Sequence, residues 1–353
     1  MRMIRVYEAK ANMVVNKDIY NSDGRVLVAK GVKLTERYIE RLRDFNVKAI
    51  EILQEQEIRE AHRLANIDTC KVTKEELELH INRSVKSLIK TSLGKPDLML
   101  QVEEAFDLIL QDQAVVENMF KTKLIGDRTF FHGVQVAVLA VATGLQLELD
   151  RPSLTLLGKA AMLFDIGKIF LRRDLLIHQE EYDETQKLIM QEHTISGYML
   201  LRSIFPEEVA LVALQHHERF NGSGYPRNLS NDELHLFSRI VSVADVFIAL
   251  KSHRYYRQAF QPYEALEYIL GAGGYLFDSK VVSAFNEIIV LYALGTVVQL
   301  NDGRSGIVTA LHPVFGQRPE VTVLYDEQMQ PISGEVLDLA AHPTSFIVRV
   351  LHE

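Results

Sequence analysis

Residues 211–226 (LVALQHHERFNGSGYP) place two adjacent histidines, His216 and His217, and the acid Glu218 ahead of a glycine-rich loop ending in Gly224, Tyr225 and Pro226. Neighbouring residues on a helix point about 100° apart, so a helical HH pair addresses two adjacent metal ions rather than pinching one. The competing reading is a helix C-terminus whose histidines cover free carbonyls before a turn. Other side chains must decide between them. His132, Asp165, His193 and Asp245 supply further imidazoles and carboxylates on successive predicted helices. A lone histidine in a helical protein is more often a surface or hydrogen-bonded core residue than a ligand. Six such groups form a mixed N/O set that suits iron, manganese or zinc better than calcium, at two positions that Asp165 could bridge. Lys168 follows in the DIGK run, and a lysine beside bound metal can meet a phosphate oxygen. The chemistry implied is metal-assisted phosphoester hydrolysis by an activated water, with Asp165 and Lys168 as its catalytic groups.

The elements that must carry these residues are mainly helices. Residues 101–295 read as helix throughout: one from Asp127 carrying His132 and ending near Gly144, one opened by Pro152 and Ser153 that runs through Asp165, one placing His193 on the face of Ser196 and Gly197, one interrupted by Asp245, one starting at Pro262, and a last one capped by Asp278. Asp165 follows Met162, Leu163 and Phe164, and a carboxylate in so apolar a run needs a cation or several donors. Residues 1–55 read as a small α/β unit with an Asp23-Gly24 hairpin turn, a strand over 25–29, a helix from Thr35 and a strand over 47–53. Residues 56–100 form a helical connector, in which Thr73 and Glu76 make a capping box before the stripe Leu77, Ile81, Val85 and Leu88. That stripe suits core or a dimer seam. Residues 296–353 switch to short strands with turn signals, a small antiparallel β domain. The fold class expected is therefore multi-domain and mainly α, flanked by a small α/β unit and a β-rich end.

Bulk properties exclude several functions. A chain of 353 residues with 47% hydrophobic composition is a folded protein with room for several domains. Its net charge of −8 disfavours nucleic-acid polymers and anionic membranes, so an anionic ligand must be drawn in by local cations or metal. The single cysteine, Cys70, suits a reducing cytoplasm, and neither a spanning apolar run nor a signal peptide is expected.

In order and spacing the motifs resemble the HD-GYP family, a branch of the HD phosphohydrolases that linearises the bacterial messenger cyclic di-GMP. The matching stretches are 129–134 (TFFHGV), 165–168 (DIGK), 193–197 (HTISG), 216–226 (HHERFNGSGYP), 238–250 (SRIVSVADVFIAL), 252–257 (SHRYYR) and Phe277-Asp278. The resemblance spans roughly residues 101–295 and implies an all-helical HD core. It makes Gly224, Tyr225 and Pro226 part of the name-giving loop, and Arg254 and Arg257 phosphate contacts; ordinary surface charge is the other reading of the two arginines. It also implies one metal position at Asp165, His193, His216 and His217, and another at His132, Asp165, Asp245 and the histidine of the HD pair.

The chain departs from the family pattern at four places. Phe164 stands where that histidine belongs, and a phenyl ring cannot ligate a metal. Arg128 replaces the glutamate found in members holding three metals, Asn221 an aspartate of the loop, and Ile248 a second aspartate. Either water completes the depleted position, or that ion is not held. Three readings stay open: a phosphodiesterase acting on cyclic di-GMP with reduced activity, an impaired receptor or scaffold that binds cyclic di-GMP or a protein partner through the GYP loop, and hydrolysis of another phosphorylated nucleotide. A homodimer is the default for a signalling protein with a helical connector.

Overall fold

The computed structural model describes residues 2–10, 13, 15, 19–20, 26–28, 34–45, 47, 49–52, 73–93, 95–176, 182–252, 259–312 and 317–351. In the N-terminal unit, β1 (Arg2–Arg5) pairs antiparallel with β4 (Ala49–Ile52), and β2 (Ile19–Tyr20) with β3 (Val26–Val28). Helix α1 (Glu36–Asp44) buries Ile39 and Leu42 with Val15, Val28, Leu34 and Ile50 in a core separate from the main one. The predicted Asp23-Gly24 turn and Cys70 lie outside the described residues.

Helix α2 (Lys74–Ser92) starts at the expected capping box: Thr73 Oγ1 accepts from Glu76 N at 3.2 Å, and the Glu76 carboxylate accepts from Thr73 N at 2.7 Å. Its stripe Leu77, Ile81 and Val85 is buried in the main core, so the chain itself occupies the face suggested as a dimer seam. Helices α3 (Pro96–Leu110) and α4 (Gln113–Ile125) follow, and then α5 (Asp127–Gln146), the central helix, buried along Val134 to Gly144. By length and composition α5 could cross a membrane, contrary to the sequence expectation, but 67% of its apolar window is buried among the other helices, where its hydropathy is spent on packing. Gly144 does not end it. The helix runs two residues further, and Gly144 is small because Leu154 and Leu157 press on it.

Helix α6 (Arg151–Leu163), capped by Asp150, stops two residues before Asp165. The aspartate is therefore not inside a helix as expected; it sits at a bend leading into the 3-10 turn Ile166–Phe170. After the single turn α7 (Arg173–Leu176) come α8 (Glu184–Leu201), capped by Asp183, α9 (Glu207–Gln215), α10 (Leu236–Lys251), α11 (Pro262–Gly271) and α12 (Ser279–Ile288), capped by Asp278. The last helix is shorter than its apolar pattern suggests, because Ile289 leaves it to bridge to Leu93.

The C-terminal strands form one antiparallel sheet in the order β8 (Pro331–Asp338), β7 (Glu320–Tyr325), β6 (Ser305–Ala310), β5 (Val297–Leu300), β9 (Ile347–Val350). Alternation in β5 and β7 sends Val298, Leu300, Val321 and Val323 into the main core.

Candidate metal centre

Three glycine-dependent approaches bring the helices together. A Cβ on Gly133 would stand 2.8 Å from the Met162 carbonyl oxygen, so α5 rides on the end of α6 and delivers His132 beside the bend at Phe164 and Asp165. A Cβ on Gly167 would collide with the His193 carbonyl and stand 2.6 Å from Gly197 N, so the turn after Asp165 lies directly on α8. One on Gly224 would meet Glu218 Cα and stand 2.5 Å from Arg219 N and His217 O, which folds the glycine-rich loop back over the end of α9.

His216 and His217 do not splay as a helical pair. Helix α9 ends at Gln215, His216 is its C-cap, and the two imidazole centroids lie 4.1 Å apart. With His193 they bring their ligand atoms within 4.8 Å of one another. Both readings of the pair meet in His216: its Nδ1–H donates to the Ala213 and Val212 carbonyls at 3.0 and 3.1 Å, covering free helix-end groups. His193 Nδ1–H donates likewise to the Met190 carbonyl at 2.5 Å. Carbonyls only accept, so in each neutral ring the proton sits on Nδ1 and Nε2 presents a lone pair. Those two lone pairs face each other at 3.3 Å, with Asp165 Oδ1 at 3.4 Å from His193 and 3.7 Å from His216.

Electrostatics favour this state. Burial pushes His193 down to about 3 and depresses His216 and His217 as well, so all three rings are neutral. Burial opposes ionisation of Asp165, yet the Lys168 ammonium, 2.5 Å from Oδ2, holds its carboxyl well below the usual range. Oδ1 has no hydrogen-bond partner and is buried. A buried carboxylate oxygen and two imidazole lone pairs converging without a proton between them repel one another, and a cation at their centre removes the repulsion. Two nitrogens each about 2.0 Å from one tetrahedral ion lie roughly 3.3 Å apart, so the spacing fits a transition metal. The donor set is one carboxylate oxygen and three imidazoles, the chemistry of iron, manganese or zinc.

His132 and Asp245 lie beside this cluster but engage each other, His132 Nε2–H donating to Asp245 Oδ1 at 2.7 Å. Burial opposes ionisation of Asp245 too, but the hydrogen bond from His132 and the neighbouring His132 and His216 rings together hold its carboxyl below the usual range. Phe164 is fully buried between the two groups, its ring 4.8 Å from His216 and 5.8 Å from His132. Tyr225 stacks on His217 at 4.7 Å with 26° between the planes, next to a cis bond to Pro226. Burial, and then Asp165 and Asp245, push its hydroxyl up, so Tyr225 is a neutral donor. Arg254 and Arg257 lie outside the described residues.

Sequence reasoning gave Glu218 no role, and the structure gives it one. It is 2% exposed, and its carboxylate accepts from Arg227 N at 2.6 Å and Leu229 N at 3.1 Å, which ties down the loop carrying Tyr225. The signal was an acid directly before a loop rich in glycine, whose amides need an acceptor. Glu218→Ala leaves both amides unpaired and should cost about 2–4 kcal/mol, read by urea unfolding of metal-free protein, with Glu218→Gln recovering part of the loss.

A family model described as an HD domain matches residues 114–281, and one described as a KOW domain associated with HD domain matches residues 297–353. A cyclic di-GMP phosphodiesterase of Pseudomonas aeruginosa is 30% identical over 241 residues, covering 67% of this chain and 58% of that protein. The cyclic di-GMP phosphodiesterase response regulator RpfG of Xanthomonas campestris is 40% identical over 142 residues, 39% of this chain and 38% of the relative. The 3'3'-cGAMP-specific phosphodiesterase 3 of Vibrio cholerae is 35% identical over 136 residues, 38% and 30% respectively. The matches thus span less than two thirds of each relative's length.

Proposed function

Since the chain belongs to the HD-GYP branch of the HD domain family, we propose that it is a metal-dependent phosphodiesterase that hydrolyses one phosphoester of cyclic di-GMP to give the linear dinucleotide. The observation that carries this reading is the cluster of His193, His216 and His217, whose ligand atoms lie within 4.8 Å of one another, with the orphaned Oδ1 of Asp165 3.4 Å from His193 and 3.7 Å from His216. These four residues would hold a divalent transition metal, which when bound supplies Lewis-acid activation of a phosphoester.

The chain's own groups do the rest. Lys168, 23% exposed at its side chain, is the cation at the rim of the cluster; by turning from Asp165 Oδ2 it meets a non-bridging phosphate oxygen. Tyr225 offers a neutral hydroxyl beside His217, and Gly224 keeps the loop low enough for a substrate to approach. A protein of net charge −8 needs such local cations to attract a dianionic substrate. Among the relatives, names divide between cyclic di-GMP and 3'3'-cGAMP, so the test compares both nucleotides.

A second reading, favoured by Phe164, is a receptor that binds cyclic di-GMP, or a protein partner at the Gly224-Tyr225-Pro226 loop, without turnover. The two separate in one assay on anaerobically purified full-length protein with its metal counted. Turnover of cyclic di-GMP to linear product, faster than that of 3'3'-cGAMP and abolished by Asp165→Ala, is the expected result. Stoichiometric metal and nucleotide binding with no product would establish the receptor instead.

A further inference from the structure

The six candidate ligands do not form two equivalent positions. At the cluster, the Nε2 lone pairs of His193 and His216 face each other at 3.3 Å, and one oxygen of Asp165 has no hydrogen-bond partner. Everything that would serve a neighbouring second ion is already engaged. The other oxygen of Asp165, needed for a bridge, is bonded to Lys168 at 2.5 Å. His132 and Asp245 are bonded to each other at 2.7 Å. Against both His132 and His216 packs the buried ring of Phe164, which offers no donor. A divalent ion placed there would have to break two charge-assisted bonds at once. It would also sit beside the Lys168 ammonium and against a phenyl face, with too few donors to replace its hydration.

We propose that this chain holds a single divalent ion, at Asp165, His193, His216 and His217, with the adjoining position closed by Phe164 and the His132–Asp245 bond. The inference deepens the metal-dependent reading above, and rests on it only in taking the histidine cluster as the place where metal binds. It makes the HD-position phenylalanine a determinant of nuclearity. His132 and Asp245 become a hydrogen-bonded pair facing the ion from outside its coordination sphere, available to the substrate rather than committed to metal.

The test uses metal alone, with no nucleotide. Full-length protein stripped by chelator is titrated with Mn(II) under anaerobic conditions, and bound metal is counted by elemental analysis and examined by electron paramagnetic resonance. One ion per chain with an uncoupled signal is the expected result. Two ions per chain with an exchange-coupled signal would overturn the inference, while leaving the proposed function standing; no bound ion would refute both. Phe164→His should add a second ion and coupling, and a folded Phe164→His protein that still binds one ion would overturn the role given to the ring. His132→Ala does not depend on that variant folding. It should leave the count at one and the affinity within about threefold of the parent, whereas a loss beyond tenfold would make His132 a ligand and the single-ion assignment wrong.

Discussion

Asp165→Ala should weaken divalent-metal binding by at least about 100-fold while leaving the helical fold in place. Groups that merely orient metal ligands cost 10- to 100-fold when removed, and in the proposed site Asp165 would supply a donor atom directly, the only anionic one. The fold should tolerate the change because Oδ1 makes no hydrogen bond that would be lost, and Lys168, the partner of Oδ2, is 23% exposed and can turn to water. The alanine also takes away the charge next to the two buried neutral rings of His193 and His216, which lie 3.4 and 3.7 Å from Oδ1. Calorimetric titration with Mn(II) or Zn(II), beside far-ultraviolet circular dichroism, separates the two effects. Turnover should fall with occupancy. Metal affinity unchanged in a folded Asp165→Ala protein would place the ion elsewhere.

How far the sequence reveals this site depends on the kind of physics involved. The helices carrying His132, His193 and Asp245 were legible because their apolar periodicity is local, and Thr73 and Asp278 sit where α2 and α12 start for the same reason. The mainly helical core and the strand-rich end followed from the same signals. Asp165 was misplaced because apolar continuity through Met162, Leu163 and Phe164 looks helical, whereas the chain bends there to set Gly167 on α8. His216 and His217 follow the last residue of α9, so helical spacing does not describe rings that lie 4.1 Å apart. Both errors are tertiary overrides of local pattern. Nor could spacing tell that His132 and Asp245 satisfy each other, or that Lys168 occupies the second oxygen of Asp165, because those bonds join residues 113 and 3 positions apart through packing of α5, α10 and the 3-10 turn.

Gly167→Ala should disable the centre without touching a ligand. The added methyl would run into the backbone carbonyl of His193 and stand 2.6 Å from Gly197 N, and neither is the end of a flexible side chain. Backbone cannot give by rotamer change, so the 3-10 turn must lift off α8, carrying Asp165 and Lys168 away from His193 and His216. Overpacking of this kind costs about 1–3 kcal/mol, and displacing a ligand held by its neighbours should weaken metal binding roughly 10- to 100-fold. Gly197→Ala is the control on the opposite wall. Its methyl would meet Gly167 N at 3.2 Å and the Ala213 side chain at 3.3 Å, contacts that need shifts of only a few tenths of an ångström. It should therefore lose well under half as much stability and keep its metal. Urea unfolding and metal titration of the two variants would rank them, and equal losses would mean that the close seating of the turn on α8 does not hold the carboxylate and imidazoles together.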